Sequence, residues 1–188
     1  STQGYSSAAS DVYKRQTYFS PLADTSLPDA GFVYLPGGYP ELYLAALSAN
    51  RQMLQSIRRY VESGGKLLAE CGGMMYLCDE IRDKNGDVYP MAGVLHQSAT
   101  MENMKLRLGY RTLLYNETRL KGHEFHYSRL VEQQNPLPSC AVAYTAKGVE
   151  TDTPLYHYKN VWAGYTHLYW ADPVGNEWFT KFVIDGNT

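Results

Sequence analysis

Residues 66–77, KLLAECGGMMYL, constrain the fold more than any other stretch of the chain. The run Lys66–Cys71 is too apolar for a strand with one wet face, so it belongs inside a sheet covered on both sides. Two glycines then remove side-chain bulk, and GGMMYLCDEI (72–81) reads as a helix starting at the strand's carboxyl end. Upstream, GFVYLPGGYP supplies a short β-favouring run, Phe32–Leu35, stopped by Pro36-Gly37-Gly38. Glu41–Ser63 is helix-like, with an interruption near Ser48–Asn50. Leu54, Ile57 and Val61 recur at three- and four-residue steps, and Gly64-Gly65 ends the segment. Strand, helix, strand, helix in this order predicts an α/β layer fold with a parallel sheet.

The second half has a different texture. LRLGYRTLLY, GHEFHYSRLV, CAVAYTAKG and VWAGYTHLYW are short, Tyr-rich segments separated by turn residues, which predicts β structure, partly antiparallel. The 17 tyrosines fit half-buried strand faces, which favour aromatics, better than a stacking surface for a planar substrate. One domain accounts for the pattern.

Composition excludes several function classes. With 17 basic and 19 acidic residues, there is no basic patch for nucleic acid and no polybasic membrane segment. No apolar run approaches the ~20 residues that span a bilayer. Three cysteines without a repeated spacing make neither a disulfide framework nor a zinc knuckle. A reduced, cytoplasmic protein with no metal site is the expectation.

The chemistry concentrates on Cys71. At a sharp turn between a buried strand and a helix, its thiol stands at the carboxyl edge, where open α/β sheets place ligands. The glycines relieve crowding as they do in a nucleophile elbow, and the Gly72 N–H points where an oxyanion would develop. A lone cysteine is also commonly a buried structural residue, so the turn by itself leaves both readings open. Three further segments favour catalysis. LPGGYPELY can aim a second backbone N–H at an oxyanion; GYTHLYW places His167 at the end of an apolar strand, as a base for the thiol; GHEFHYS packs two histidines and a glutamate together.

The other candidates read as structural. His123 and His126, three apart on a strand, point to opposite faces and make no metal pair. Cys78 and Cys140 lie in apolar sequence as small packing residues, and His96 and His157 read as surface or packing residues. Glu70 should point to the side of the strand opposite Cys71 and serve a structural ion pair.

PGGYPE, ECGGMMYL, GHEFHYS and the His-bearing strand, in that order, resemble the glutamine amidotransferase domain of the cobyrinic acid a,c-diamide synthase family. That family is related to cobyric acid synthase and other class I, triad-type glutaminases. The resemblance implies a flavodoxin-like layered sheet with helices on both faces. It also implies that Cys71 attacks the side-chain amide of glutamine, that His167 moves the proton, and that Gly38 and Gly72 supply oxyanion-hole N–H groups. In many relatives a glutamate two positions after the histidine orients the imidazole; here Tyr169 stands there, and Glu124 is the candidate for a supporting role. The family's acceptor is a corrin tetrapyrrole. Its ATP and Mg2+ belong to an N-terminal synthetase domain, and no GxxxxGK[ST] pattern exists in these residues. Related amidotransferases acting on cobyric acid, a nickel tetrapyrrole or a cell-wall lipid are the alternatives, as is a non-catalytic fragment.

Ser6–Gln16 has no apolar period and resembles a translated DNA sequencing adapter. Residues 1–16 are therefore expected to be a non-native tail, and 17–188 a glutaminase domain clipped at its N-terminal edge.

Overall fold

The computed structural model describes residues 16–185 of the chain. The expected tail, apart from Gln16, lies outside the described residues.

In chain order, β1 (Phe32–Leu35) leads through a 3-10 turn at Pro40–Leu42 into α1 (Leu44–Ala49) and α2 (Arg51–Glu62). Next come β2 (Lys66–Glu70), α3 (Gly72–Leu77), β3 (Glu80–Arg82), β4 (Val88–Pro90) and β5 (Ser98–Thr100). The long pair β6 (Arg107–Tyr115) and β7 (Thr118–His126) is followed by β8 (Arg129–Leu130), β9 (Val142–Thr145) and β10 (Glu150–Thr151). The chain continues through β11 (Leu155–Tyr158), β12 (Val161–Gly164) and β13 (His167–Leu168) to α4 (Pro173–Asp185).

Three sheets form among the described residues. The central one has the order β1-β2-β12-β11, parallel except for β11. A five-stranded antiparallel sheet runs β10-β9-β6-β7-β13, and a small mixed sheet runs β4-β3-β5-β8. The expected parallel core and the antiparallel second half are both present.

β2 is buried from Leu67 to Glu70, as its composition predicts, and strand alternation divides its side chains between two cores. Leu67 and Ala69 join Val33, Leu35, the α2 residues Met53, Leu54, Ile57 and Val61, and α3. Leu68 faces the other way, toward Leu155, Trp162, Leu113 and Leu120, and the α4 residues Trp178 and Phe182. The central sheet is thus covered by α2 and α3 on one side and by α4 with the antiparallel sheet on the other.

One helical segment matches the sequence reading, broken where expected, and one differs. The 41–63 segment breaks at Asn50, whose side chain caps α2 at the Met53 N–H and also donates to the carbonyls of Pro21 and Asp24. α3 stops at Leu77 instead of running to Ile81, because another segment satisfies its last carbonyls. Ala92 N–H donates to Tyr76, Val94 and Leu95 N–H to Leu77, and Gly93 N–H to Cys78. A further helical turn would forfeit those bonds, so Glu80–Arg82 pairs as a strand instead.

The register brings three strand ends together. Leu35 lies opposite Ala69, and Gly164 opposite Glu70, so β1, β2 and β12 finish at one carboxyl edge. The segments leaving that edge carry Gly37-Gly38, Cys71-Gly72 and Tyr165–His167.

Candidate active site

Cys71 follows β2 directly and keeps its pairing, since its N–H donates to the Gly164 carbonyl at 2.8 Å. Its backbone then turns into the left-handed region, φ 50°, ψ −111°, a conformation costly for a side chain with a Cβ. Such strain is tolerated where surrounding structure imposes it, and here the close packing of α3 does so. A Cβ on Gly73 would run into the Leu35 carbonyl, and one on Gly72 would lie 2.6 Å from the Gly38 carbonyl. The two glycines let the helix start sit directly against the loop after β1. Gly72 is the first residue of α3, so its N–H has no acceptor inside the helix.

The thiol is mostly shielded, with Cys71 6% exposed, and its Sγ lies 3.9 Å from the Phe125 carbonyl on β7. His167 is half-buried beside it. It does not end an apolar strand of the central sheet, as VWAGYTHLYW suggested. β12 ends at Gly164, Tyr165 and Thr166 cross between sheets, and His167 opens β13 in the antiparallel sheet, opposite His123. Gly37 faces the imidazole so closely that a Cβ there would overlap Cε1. The His123 ring stacks on the imidazole at 5.1 Å between centroids, 25° from parallel.

The group beside His167 Nδ1 is Glu70, with its Oε2 at 3.5 Å. The same carboxylate accepts from the Tyr34 hydroxyl at 2.7 Å and from the Leu168 N–H at 3.1 Å. Glu70 therefore bridges β1, β2 and β13. It does point away from the Leu67–Ala69 side and it is ion-paired, but its partner is the site histidine. A buried carboxylate in an apolar strand demands a partner, and that demand was the available signal. Tyr169, where relatives carry a glutamate, instead stacks on His123 at 5.6 Å.

These neighbours raise the His167 pKa from 6.5 to about 9. The Cys71 side chain contributes most and Glu70 next, against the opposing effect of burial. An imidazolium beside the thiol is therefore favoured well above neutral pH.

Glu124 does not touch His167. It is fully buried on the other face of β7, with Oε2 2.9 Å from Arg111 Nη2 and 3.8 Å from His126 Nε2, while Oε1 accepts from Thr166 Oγ1 at 3.3 Å. Burial pushes its pKa up, but hydrogen bonds from His126 and Thr153 and the Arg111 charge outweigh that, leaving it below the usual value. His123 and His126 lie on opposite faces, the latter stacked on Tyr165 at 3.8 Å. Gly38 reaches the site through its carbonyl contact with Gly72; Gly37, which the sequence did not single out, is the glycine against His167.

Cys78 is fully buried, and burial pushes its thiol far up; Cys140 is pushed up to about 11 for the same reason. Neither has an imidazole partner. His157 packs on Trp162 at 4.1 Å, and His96 pairs with Asp79 at the surface. Among the described residues no helix is long and apolar enough to cross a membrane.

Residues 11–174 match the family described as CobB/CobQ-like glutamine amidotransferase domain. A Pseudomonas aeruginosa protein named hydrogenobyrinate a,c-diamide synthase is 39% identical over 157 residues, 81% of this chain and 34% of that protein. Proteins named cobyrinate a,c-diamide synthase are 39% identical in Fusobacterium nucleatum, over 81% of this chain and 35% of that protein, and 40% identical in Picrophilus torridus, over 81% and 33%. The chain thus spans about a third of the length of the curated relatives it matches. A solved structure described as a glutamine amidotransferase shares the fold, with a TM-score of 0.53 and 18% identity over 81% of this chain and 79% of that one. Between the family match and a cysteine turn facing a carboxylate-held histidine, the chain belongs to the CobB/CobQ-like glutamine amidotransferase domain family.

Proposed function

We propose that this chain, as the glutaminase domain at 17–188, hydrolyses glutamine and supplies ammonia for ATP-dependent amidation of the a- and c-carboxylates of a cobyrinic acid-type corrin. The observation that carries the reading is the convergence of Cys71, His167 and Glu70 at one strand edge, with the imidazole pKa held at about 9.

The Cys71 thiolate attacks the side-chain amide carbon of glutamine, and the resulting oxyanion takes hydrogen bonds from the Gly72 and Gly38 N–H groups. The C–N bond breaks, His167 gives its proton to the departing ammonia, and a glutamyl thioester remains. His167 then takes a proton from water, whose oxygen attacks the thioester; the C–S bond breaks, glutamate leaves and the thiolate is restored. Glu70 lies against Nδ1 and so positions the imidazole with Nε2 toward the thiol.

ATP and Mg2+ belong to the synthetase part of such an enzyme. This chain's Gly64-Gly65-Lys66 run leads into β2 and not into a helix, and Lys66 Nζ donates to the Val183 carbonyl at 2.8 Å. No ATP step is assigned to it. The names of the relatives favour a corrin acceptor over the nickel-tetrapyrrole and cell-wall alternatives, and a cytoplasmic location follows from a soluble biosynthetic role.

The test is intact-mass labelling with an electrophilic glutamine analogue. One adduct, mapping to Cys71 and slowed at least roughly a hundredfold in His167→Ala, is the expected result. A folded chain that takes no adduct, or takes it elsewhere, would refute the assignment.

A further inference from the structure

The GHEFH run of β7 is not used by the reaction as written, yet each of its residues touches the site or the segment that carries His167. Gly122 lets β13 come close: a Cβ there would meet the His167 carbonyl and lie 2.6 Å from Thr166 Cγ2. His123 stacks on the His167 ring from the outer face. Glu124, on the inner face, accepts the Thr166 hydroxyl and is balanced by Arg111. The Phe125 carbonyl contacts the Cys71 sulfur. His126 stacks on Tyr165, whose hydroxyl also accepts from Ser128 Oγ at 3.1 Å.

The segment so gripped needs support from outside. Tyr165 and Thr166 lie between two sheets, and β13 is only two residues long, so local secondary structure alone would leave His167 free to swing. Because strand alternation sends His123 and Glu124 to opposite faces, adjacent residues of one rigid strand hold adjacent residues, His167 and Thr166, from both sides. We infer that Gly122–His126 is a two-sided clip, in which His123 and Glu124 are positioning residues that fix the His167 imidazole against Cys71.

The inference rests on the Cys71–His167 reading. The Glu124–Thr166 half predicts that Thr166→Val, which loses only the donor, lowers kcat for glutamine hydrolysis about tenfold, whereas Thr166→Ser recovers to within about threefold of wild type. The His123 half predicts the same loss for His123→Ala and recovery in His123→Phe, which keeps a stacking face. In both losing variants KM stays within about twofold, and alkylation of Cys71 by iodoacetamide at neutral pH slows by roughly the same factor as kcat.

These measurements use the full chain. Unchanged kcat and alkylation profiles in Thr166→Val and His123→Ala, with wild-type alkylation still dependent on His167, would overturn the clip and spare the catalytic pair. A loss that the Ser and Phe variants fail to recover, accompanied by a lower melting temperature, would reduce these residues to ordinary packing. Wild-type alkylation that ignores His167→Ala would refute both.

Discussion

At the residue scale the site depends on charges held out of water. Glu70, 3% exposed, is stabilised by the Tyr34 hydroxyl and the Leu168 N–H, and in turn raises His167. Removing that carboxylate lowers the imidazole pKa, so the alkaline limb of the kcat profile in Glu70→Gln should move to lower pH, with a fall in kcat of roughly tenfold or more; a pH-rate series checks it. Cys71→Ala should abolish hydrolysis, while Cys140→Ala retains it and Cys78→Ala costs stability more than turnover, because neither thiol has an imidazole beside it. Steady-state ammonia release alongside thermal melts separates the two effects. Glu70 was visible in the sequence as a carboxylate in an apolar strand. Its partner was not, because His167 is 97 residues away along the chain and only the sheet register brings them together.

At the element scale, two glycines serve different ends. Gly73 lets α3 touch the Leu35 backbone, which cannot move aside, so Gly73→Ala should cost about 1–3 kcal/mol, read in a urea titration. Gly37 faces the His167 ring, so Gly37→Ala should displace the imidazole and lower kcat more than it lowers stability. The strand–turn–helix around Cys71 was legible because burial on both faces and bulk-free positions leave a composition signature. The early end of α3 was not, since the loop at 92–95 that takes over its carbonyls carries no local signal. VWAGYTHLYW reads as one strand by composition; the change of sheet at Tyr165–Thr166 arises from which neighbour each half finds to pair with.

At the scale of the whole molecule, folding and site formation are linked through one proton. The folded-state pKa of His167 lies above its unfolded value, so the native state binds the extra proton tightly. That stabilisation is complete below about pH 6.5 and disappears as pH rises through about 9. The difference in urea midpoint between wild type and His167→Gln should therefore shrink from pH 6.5 to pH 9.5. Leu68, on the β2 face that also carries Glu70, packs with Trp162 and α4; Leu68→Ala should cost about 2–5 kcal/mol and change tryptophan fluorescence during unfolding. The parallel α/β core, the burial of β2, the Cys71 turn and the separation of His123 from His126 could be read from the residues alone, because each follows from the period or bulk of neighbouring residues. Long-range packing set the rest: Glu70 faces His167, Glu124 holds Thr166 instead, Gly37 abuts the ring and the chain changes sheets before His167. Those contacts join strand ends far apart along the chain, and strand register and the cost of an unpartnered buried charge select them.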